Sequence, residues 1–345
     1  MFKRMKLIMS LFLSFRKKYL IFILTSFISL SCKSSVNPDN TRNQFFRSEM
    51  RGFVQNISDY AKSMNPGFIV ITQNGLELLT DNSMLDGKIV PTYLDKIDGV
   101  GQEHVFYGEK GYEVPTPSDY RNYLLGFLDL AESQNLKVLV TDYCAVPEQV
   151  DDSFSKNNER NYISFAAPSD DFDLDEIPEY PETTFGENSL DILKLPEAKN
   201  FLYLINSSMF KNKQSFLTAL QKLNYDLLII DPYYSGRLLK EADIQFLKAK
   251  ANGGKRLVIS YLNIGAAEQF RYYWQSDWEI GNPAWIAARY SDPLYYNEYW
   301  VKFWEKDWQD IIFGNRYSFI DKILASGFDG VYLDNLEVYA YFESL

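Results

Sequence analysis

Short apolar runs recur along the chain, each closing on polar residues, and most are separated by stretches with apolar positions at helical spacing. From Phe46, the residues Met50, Phe53, Val54, Ile57, Tyr60 and Met64 mark a helix that Asn65-Pro66-Gly67 ends. Phe68 to Ile71 then predicts a strand closing on Thr72-Gln73-Asn74-Gly75, and after a less regular stretch a second strand is expected within Ile97 to Tyr107. Thr116-Pro117-Ser118-Asp119 has capping-box spacing with proline at the first helical position, opening a helix through Ala131. Val138 to Val140 is a strand closing on Thr141-Asp142-Tyr143-Cys144; a helix over Pro147 to Asn157 and a strand over Tyr162 to Ala166 follow.

Residues 168–199 break this rhythm with Asp, Glu and Pro and read as a linker. Alternation then resumes. Strands are expected at Phe201 to Ile205, at Leu227 to Ile230 before Asp231-Pro232, and at Leu257 to Leu262 before Asn263. Phe216, Leu217, Leu220 and Leu223 mark one helix between them, and Ile244, Phe246 and Leu247 mark another, closed by Asn252-Gly253-Gly254. An aromatic stretch from Phe270 to Trp304 precedes a helix expected over Trp308 to Ser326 and a strand at Val331 to Leu333 that stops at Asp334-Asn335. That strand leaves no room in the sequence for a crossover helix and a next parallel strand, so its partner must come from elsewhere in the chain. Eight such strands with helices between them predict an α/β chain folded as one (β/α)8 TIM barrel. Two smaller α/β domains joined by the acidic linker are the alternative.

Composition narrows the chemistry. Residues 1–31 carry six basic and no acidic residues around an apolar run from Tyr19 to Leu30, the pattern of an export signal, and Cys32 after Ser31 is the expected site of lipid attachment. A retained membrane anchor is the plainer reading, and either places the folded part outside the cytoplasm. Residues 32–44 then read as a lipidated tether, and 45–345 as the barrel. Removing the signal leaves 29 of the 35 Lys and Arg against 46 acids, a net charge of −17. Such a chain is unsuited to nucleic acid and favours a cationic partner such as a polymer of free amino sugars, although charge of this size also serves solubility alone. With Cys32 modified only Cys144 remains, which excludes an intramolecular disulfide, and a single histidine, His104, removes the usual zinc and non-haem iron ligand sets. No cofactor is expected, although a carboxylate-bound ion stays open.

Several stretches together carry a resemblance: Asp226-Leu-Leu-Ile-Ile-Asp-Pro232, Tyr261-Leu-Asn-Ile-Gly265 with Glu268 and Arg271-Tyr-Tyr-Trp274, Trp300-Val-Lys-Phe-Trp304 and Gly327-Phe-Asp-Gly-Val-Tyr-Leu-Asp334. With Asn65 to Gly75, Asp98 to Glu103 and Val140 to Cys144, they resemble glycoside hydrolase family 114, the barrels related to endo-α-1,4-polygalactosaminidase. Relative to that family the order departs, which implies a circular permutation: in barrel order the strands run near 201, 227, 257, 331, 68, 104, 138 and 162.

The resemblance implies catalysis by paired carboxylates, Asp334 as nucleophile or base and Glu103 as general acid or acid/base. Read as residues alone, Asp334 could cap the turn after it and Glu103 could be a loop acid beside His104. Other strand-end residues, Gln73, Asn74, Asp142, Tyr143, Asp231, Tyr261 and Asn263, are expected to shape a substrate site, or else to satisfy loop backbone. Glu268 and Arg271 are expected to pair, and most of the aromatic stretch is expected to be core. The resulting expectation is an exported, lipid-anchored glycoside hydrolase, endo-acting on an α-linked, galactosamine-type polysaccharide. The alternative is a surface lipoprotein on the same barrel that binds carbohydrate or a protein partner without turnover.

Overall fold

Eight parallel strands form one sheet that curls into a nearly closed barrel surrounded by helices. In chain order they are β1 (Ile69–Gln73), β2 (Gly99–Glu103), β3 (Lys137–Tyr143), β4 (Ile163–Ala167), β5 (Phe201–Leu204), β6 (Leu227–Ile230), β7 (Leu257–Asn263) and β8 (Gly330–Asp334). The computed structural model describes residues 38–170, 173–290 and 295–345, with side chains from Phe45 onward. The segments read as export signal and lipidation site, 1–31 and Cys32, lie outside the described residues. From Asp39 onward the chain is one compact unit.

The sheet runs β4-β3-β2-β1-β8-β7-β6-β5. Strand β8 therefore finds two partners: Ile69 and Thr72 of β1 lie opposite Gly330 and Leu333, while Ile259 and Asn263 of β7 lie opposite Gly330 and Asp334. This is the neighbour order expected from the motifs. At the sheet's ends the rings of Phe165 of β4 and Phe201 of β5 meet at a tilt, 5.9 Å apart. Residues 168–199 span this seam. The described residues among them form little regular structure beyond a turn at Leu195–Glu197, yet Leu174 accepts from the Ile205 N–H at 3.0 Å. They are also pinned by Asp226, which takes the Asn188 amide at 2.9 Å, the Lys199 N–H at 2.9 Å and the fully buried Lys250 ammonium at 3.0 Å.

The helices pack their apolar faces on the outside of the sheet. In chain order the longer ones are α1 (Pro38–Met64), α2 (Ser118–Ser133), α3 (Pro147–Asn158), α4 (Lys213–Gln221), α5 (Glu241–Leu247), α6 (Lys306–Ile312), α7 (Phe319–Ala325) and α8 (Val338–Glu343). Helix α1 buries Met50, Phe53, Val54, Ile57 and Ala61, the face read from the sequence. It also starts at Pro38, inside the stretch read as a tether. Arg47 on α1 grips Glu343 on α8 with two bonds of 2.8 Å, and Tyr60 donates to Asp321 on α7 at 2.9 Å.

Two local expectations change. Thr116 does not cap α2: its hydroxyl donates to the His104 carbonyl at 2.7 Å, and the helix opens at Ser118 behind Pro117. The single helix expected from Trp308 to Ser326 is broken into α6 and α7 at Gly314, which adopts φ 99°, and Ser318 caps the second piece by accepting from the Asp321 N–H. The aromatic stretch folds onto itself as a three-stranded antiparallel sheet, Ala266–Glu268, Glu298–Val301 and Ile286–Arg289, and buries Trp285 and Tyr299.

The register decides which side chains face the barrel axis. Gln73 on β1 accepts from the Tyr203 hydroxyl on β5 at 2.8 Å, a bond between strands four places apart in the sheet, so both residues point inward. Neighbours paired in register share a face. Reading outward from β1, Ile71, Gln73, Gly101, Glu103, Thr141 and Tyr143 line the interior on one side. Tyr332, Asp334, Tyr261 and Asn263 line it on the other. Glycine at 101 makes room for Tyr332, because a Cβ there would lie 1.8 Å from that hydroxyl.

Candidate active site

Glu103 and Asp334 both occupy the last position of their strands on the inward face, at the C-terminal end of the barrel where sites on this architecture form. Only β1 separates their strands, which at the usual strand spacing puts the backbones about 10 Å apart. Their side chains converge over a floor of four tyrosines, Tyr143, Tyr203, Tyr261 and Tyr332, with Tyr203 and Tyr332 in edge contact at 5.2 Å.

Each carboxyl receives a phenol. Tyr261 donates to Asp334 Oδ2 at 2.6 Å while the Asn335 N–H donates to Oδ1 at 2.7 Å, and Tyr143 donates to Glu103 Oε1. Burial, then the charge of Glu103, pushes Asp334 up to about 6, against the pull of those two donors. Burial likewise raises Glu103, opposed by Tyr143, Gln73 and Asn74. Burial and the charge of Asp334, with Glu103 adding at Tyr203 and Tyr332, hold Tyr203, Tyr261 and Tyr332 well above the ordinary phenol range, so all three stay protonated. His104 stacks on Tyr143 at 4.8 Å and is lowered by burial to about 4, so a neutral ring backs the phenol that holds Glu103.

Residues 196–344 match the model of glycoside-hydrolase family GH114. The match supports the resemblance read from the motifs. It spans β5 to β8 with Asp231, Tyr261, Asn263 and Asp334, while Gln73, Asn74, Glu103, Asp142 and Tyr143 lie before it. Similar proteins include an uncharacterized protein of Deinococcus radiodurans, 35% identical over 127 residues, which are 36% of this chain and 38% of that one. Another uncharacterized protein, from Thermotoga maritima, is 31% identical over 117 residues, 34% of each chain. A third, from Methanocaldococcus jannaschii, is 34% identical over 174 residues, 46% of this chain and 47% of that one. The chain thus spans about a third to a half of the length of these relatives.

Within the segment matched to GH114, Asn263 turns its Oδ1 to the N–H groups of Gly265 and Ala266 at 3.2 and 2.8 Å and shapes the loop after β7. That loop packs on the Asn335 carbonyl so closely that a Cβ at 265 would sit 1.9 Å from it. Asp231 accepts from the Tyr233 N–H at 2.7 Å and pairs with Arg271 at 2.7 Å, and Arg271 also grips Glu268 at 2.6 Å. The expected Glu268–Arg271 pair is therefore part of a buried triad. Asn74 leaves β1 in a left-handed turn at φ 57° and supports Glu103 and Glu337.

Asp142 is the exception among the strand-end residues. It lies one position out of phase, on the outward face, and its oxygens take the N–H groups of Phe106 and Tyr107 at 2.7 and 3.2 Å and the Ser153 hydroxyl at 2.6 Å. It ties the loop after β2 to α3.

Two carboxyls at this mouth were not singled out by the sequence reading. Glu298, on the excursion after β7, is pushed up to about 9 by burial, then by Glu268 and Asp334. Glu337, just past β8, is raised to about 8 by burial and then by Asp334. The first lies in a stretch without clear periodicity; the second stood three residues after Asp334, a proximity that could have flagged it. Among the described residues no group of three His, Cys, Asp or Glu side chains is arranged to hold a metal ion.

Proposed function

We propose that this chain is a glycoside hydrolase in which Asp334 and Glu103 act on opposite sides of a glycosidic bond. The observation that carries the reading is the convergence of two half-buried, phenol-supported carboxyls from strands flanking β1. Glu103, its proton affinity raised by burial, suits the general acid that protonates the leaving oxygen. Asp334, brought to about 6, is mostly ionised at neutral pH and suits the nucleophile, or the base toward water. The tyrosine floor fixes both oxygens without competing charge, which is the preorganisation such chemistry needs.

The substrate class we favour is an α-linked amino-sugar polysaccharide of the galactosamine type, cut internally. An acidic chain and a mouth crowded with carboxyls support a cationic polymer. We further propose an export signal over 1–31, lipid attachment at Cys32 and, from that, a membrane-tethered barrel outside the cytoplasm. Relative to the family, the strand order is proposed to be circularly permuted, with residues 168–199 joining the two ends of the ancestral order; a family match that begins just before β5 and runs past β8 supports this.

The test is release of reducing ends from an α-1,4-galactosamine polymer by the wild type beside Asp334→Asn and Glu103→Gln. Loss of about 10²-fold or more in each variant is expected for residues with these roles. Equal activity in all three overturns the assignment. Glycan binding by a wild type that releases nothing would identify a binding barrel instead.

A further inference from the structure

Glu337 sits in the turn between β8 and α8, and only one of its carboxyl oxygens is matched. Oε1 accepts from the Asn74 amide at 3.2 Å, whereas Oε2 is shut from solvent and meets no donor. A buried oxygen left without a partner costs about 1–3 kcal/mol, and more once charged, so such an atom in a native protein calls for an explanation. The charges acting on Glu337 are those of Asp334 and Glu103, both negative, and Glu337 in turn acts on the phenols of Tyr120, Tyr290 and Tyr339. Two cations of the described residues near this end of the barrel are already engaged: Arg271 is held by Asp231 and Glu268, and Arg47 by Glu343.

A sugar hydroxyl would satisfy the unmatched oxygen but not offset the acidic neighbours that keep Glu337 protonated. An ammonium group would do both. We propose that Glu337 is a specificity residue whose Oε2 receives the ammonium group of an amino sugar bound beside the scissile bond. The proposal rests on the glycosidase reading for the kind of ligand, not for turnover. Burial and its acidic neighbours raise Glu337 to about 8, so the free protein holds the carboxyl proton at pH 7. Binding transfers that proton to the buffer and leaves a carboxylate paired with the ligand's N–H⁺.

The experiment is titration calorimetry at pH 7 in two buffers of different ionisation enthalpy, on Glu103→Gln, which keeps Asp334 and with it the main charge acting on Glu337. The probes are an α-1,4-linked galactosamine oligomer and its N-acetylated counterpart. Adding Glu337→Gln should abolish the release of close to one proton (~0.9 for a group titrating near 8). It should also remove an affinity advantage of at least ~10-fold for the amine oligomer, the worth of a charged hydrogen bond. At pH 7 the amine that pairs with Glu337 is already largely charged, so its own proton uptake on pairing offsets only a fraction of this release. The proposal is overturned by equal proton release and equal selectivity with and without Glu337→Gln, or by no binding of the amine oligomer. Should the wild type prove inactive while the proton release tracks Glu337, the glycosidase reading fails and this one stands.

Discussion

Tyr261→Phe isolates the hydrogen bond that sets the charge of Asp334. The phenol donates to Oδ2 at 2.6 Å, and the substitution removes that oxygen while keeping the ring that fills the barrel beside Tyr332. A hydrogen bond to a charged group is worth about 1.5–3 kcal/mol, equivalent to ~1–2 units of carboxyl affinity for a proton. Losing it destabilises only the ionised form, so Asp334 should move from about 6 upward, to ~7–8. If Asp334 must be ionised to act, the acid limb of the pH–rate profile follows it. With the midpoint moved by ~1.5 units, the rate at pH 6.5 drops ~8-fold while the two enzymes converge above pH 9. Reducing-end release measured from pH 5 to 9.5 reads this directly. An acid limb that stays in place, or a uniform loss of rate at every pH, would refute the reasoning that Asp334 titrates under the control of Tyr261.

Further expectations concern stability. Arg271→Met should strand the buried charges of Asp231 and Glu268 and cost about 3–5 kcal/mol, visible as a lowered thermal midpoint; an unchanged midpoint would mean the triad contributes nothing net. Asp226→Ala leaves the Lys250 ammonium buried without its partner, with a loss of similar size, and it should open residues 168–199 to limited proteolysis; protection equal to wild type would count against the pinning. Gly101→Ala drives a methyl group toward the Tyr332 hydroxyl and should cost about 1–3 kcal/mol or more, recovered in part by adding Tyr332→Leu; additivity of the two changes would rule out the contact. Finally, Asp334, Glu337 and Glu298 are raised in the fold, to about 6, 8 and 9, so the folded state holds more protons than the unfolded chain. Their stabilising contribution is present at low pH and is lost as each ionises, and the thermal midpoint should therefore fall between pH 5 and 9 at constant ionic strength. A midpoint that rises across that window contradicts the shifts.

The strands were legible because they are buried on both faces and read as continuous apolar runs, Leu227 to Ile230 being the clearest. The motif order also pointed to β8 as the neighbour of β1 and β7, since the stretch ending at Asp334 needed partners that could only come from far away in sequence. What period-two reading could not supply was phase. A strand-end run such as Thr141-Asp142-Tyr143 is all polar, and only the bond between Gln73 and Tyr203 across the barrel fixes Tyr143 as inward and Asp142 as outward. The long helix expected before β8 failed at Gly314, where the aromatic periodicity on either side concealed a break. Glu298 escaped notice because the excursion that carries it folds back by antiparallel pairing between distant aromatics.

The placement of β8 also bears on how the protein is made. Seven strands are synthesised before it, and without it their backbone hydrogen bonds join them only into two partial sheets, β1 to β4 and β5 to β7, each with an open edge where β8 will lie. Open edges of apolar strands are templates for wrong pairing, and the joining of the two partial sheets awaits the one strand that hydrogen-bonds to both. Until β8 is made, the edges of β1 and β7 that it will cover stay open to pairing with other chains. The strand that ends this exposure also brings Asp334 into the mouth, so closure of the sheet and arrival of the carboxylate are a single event.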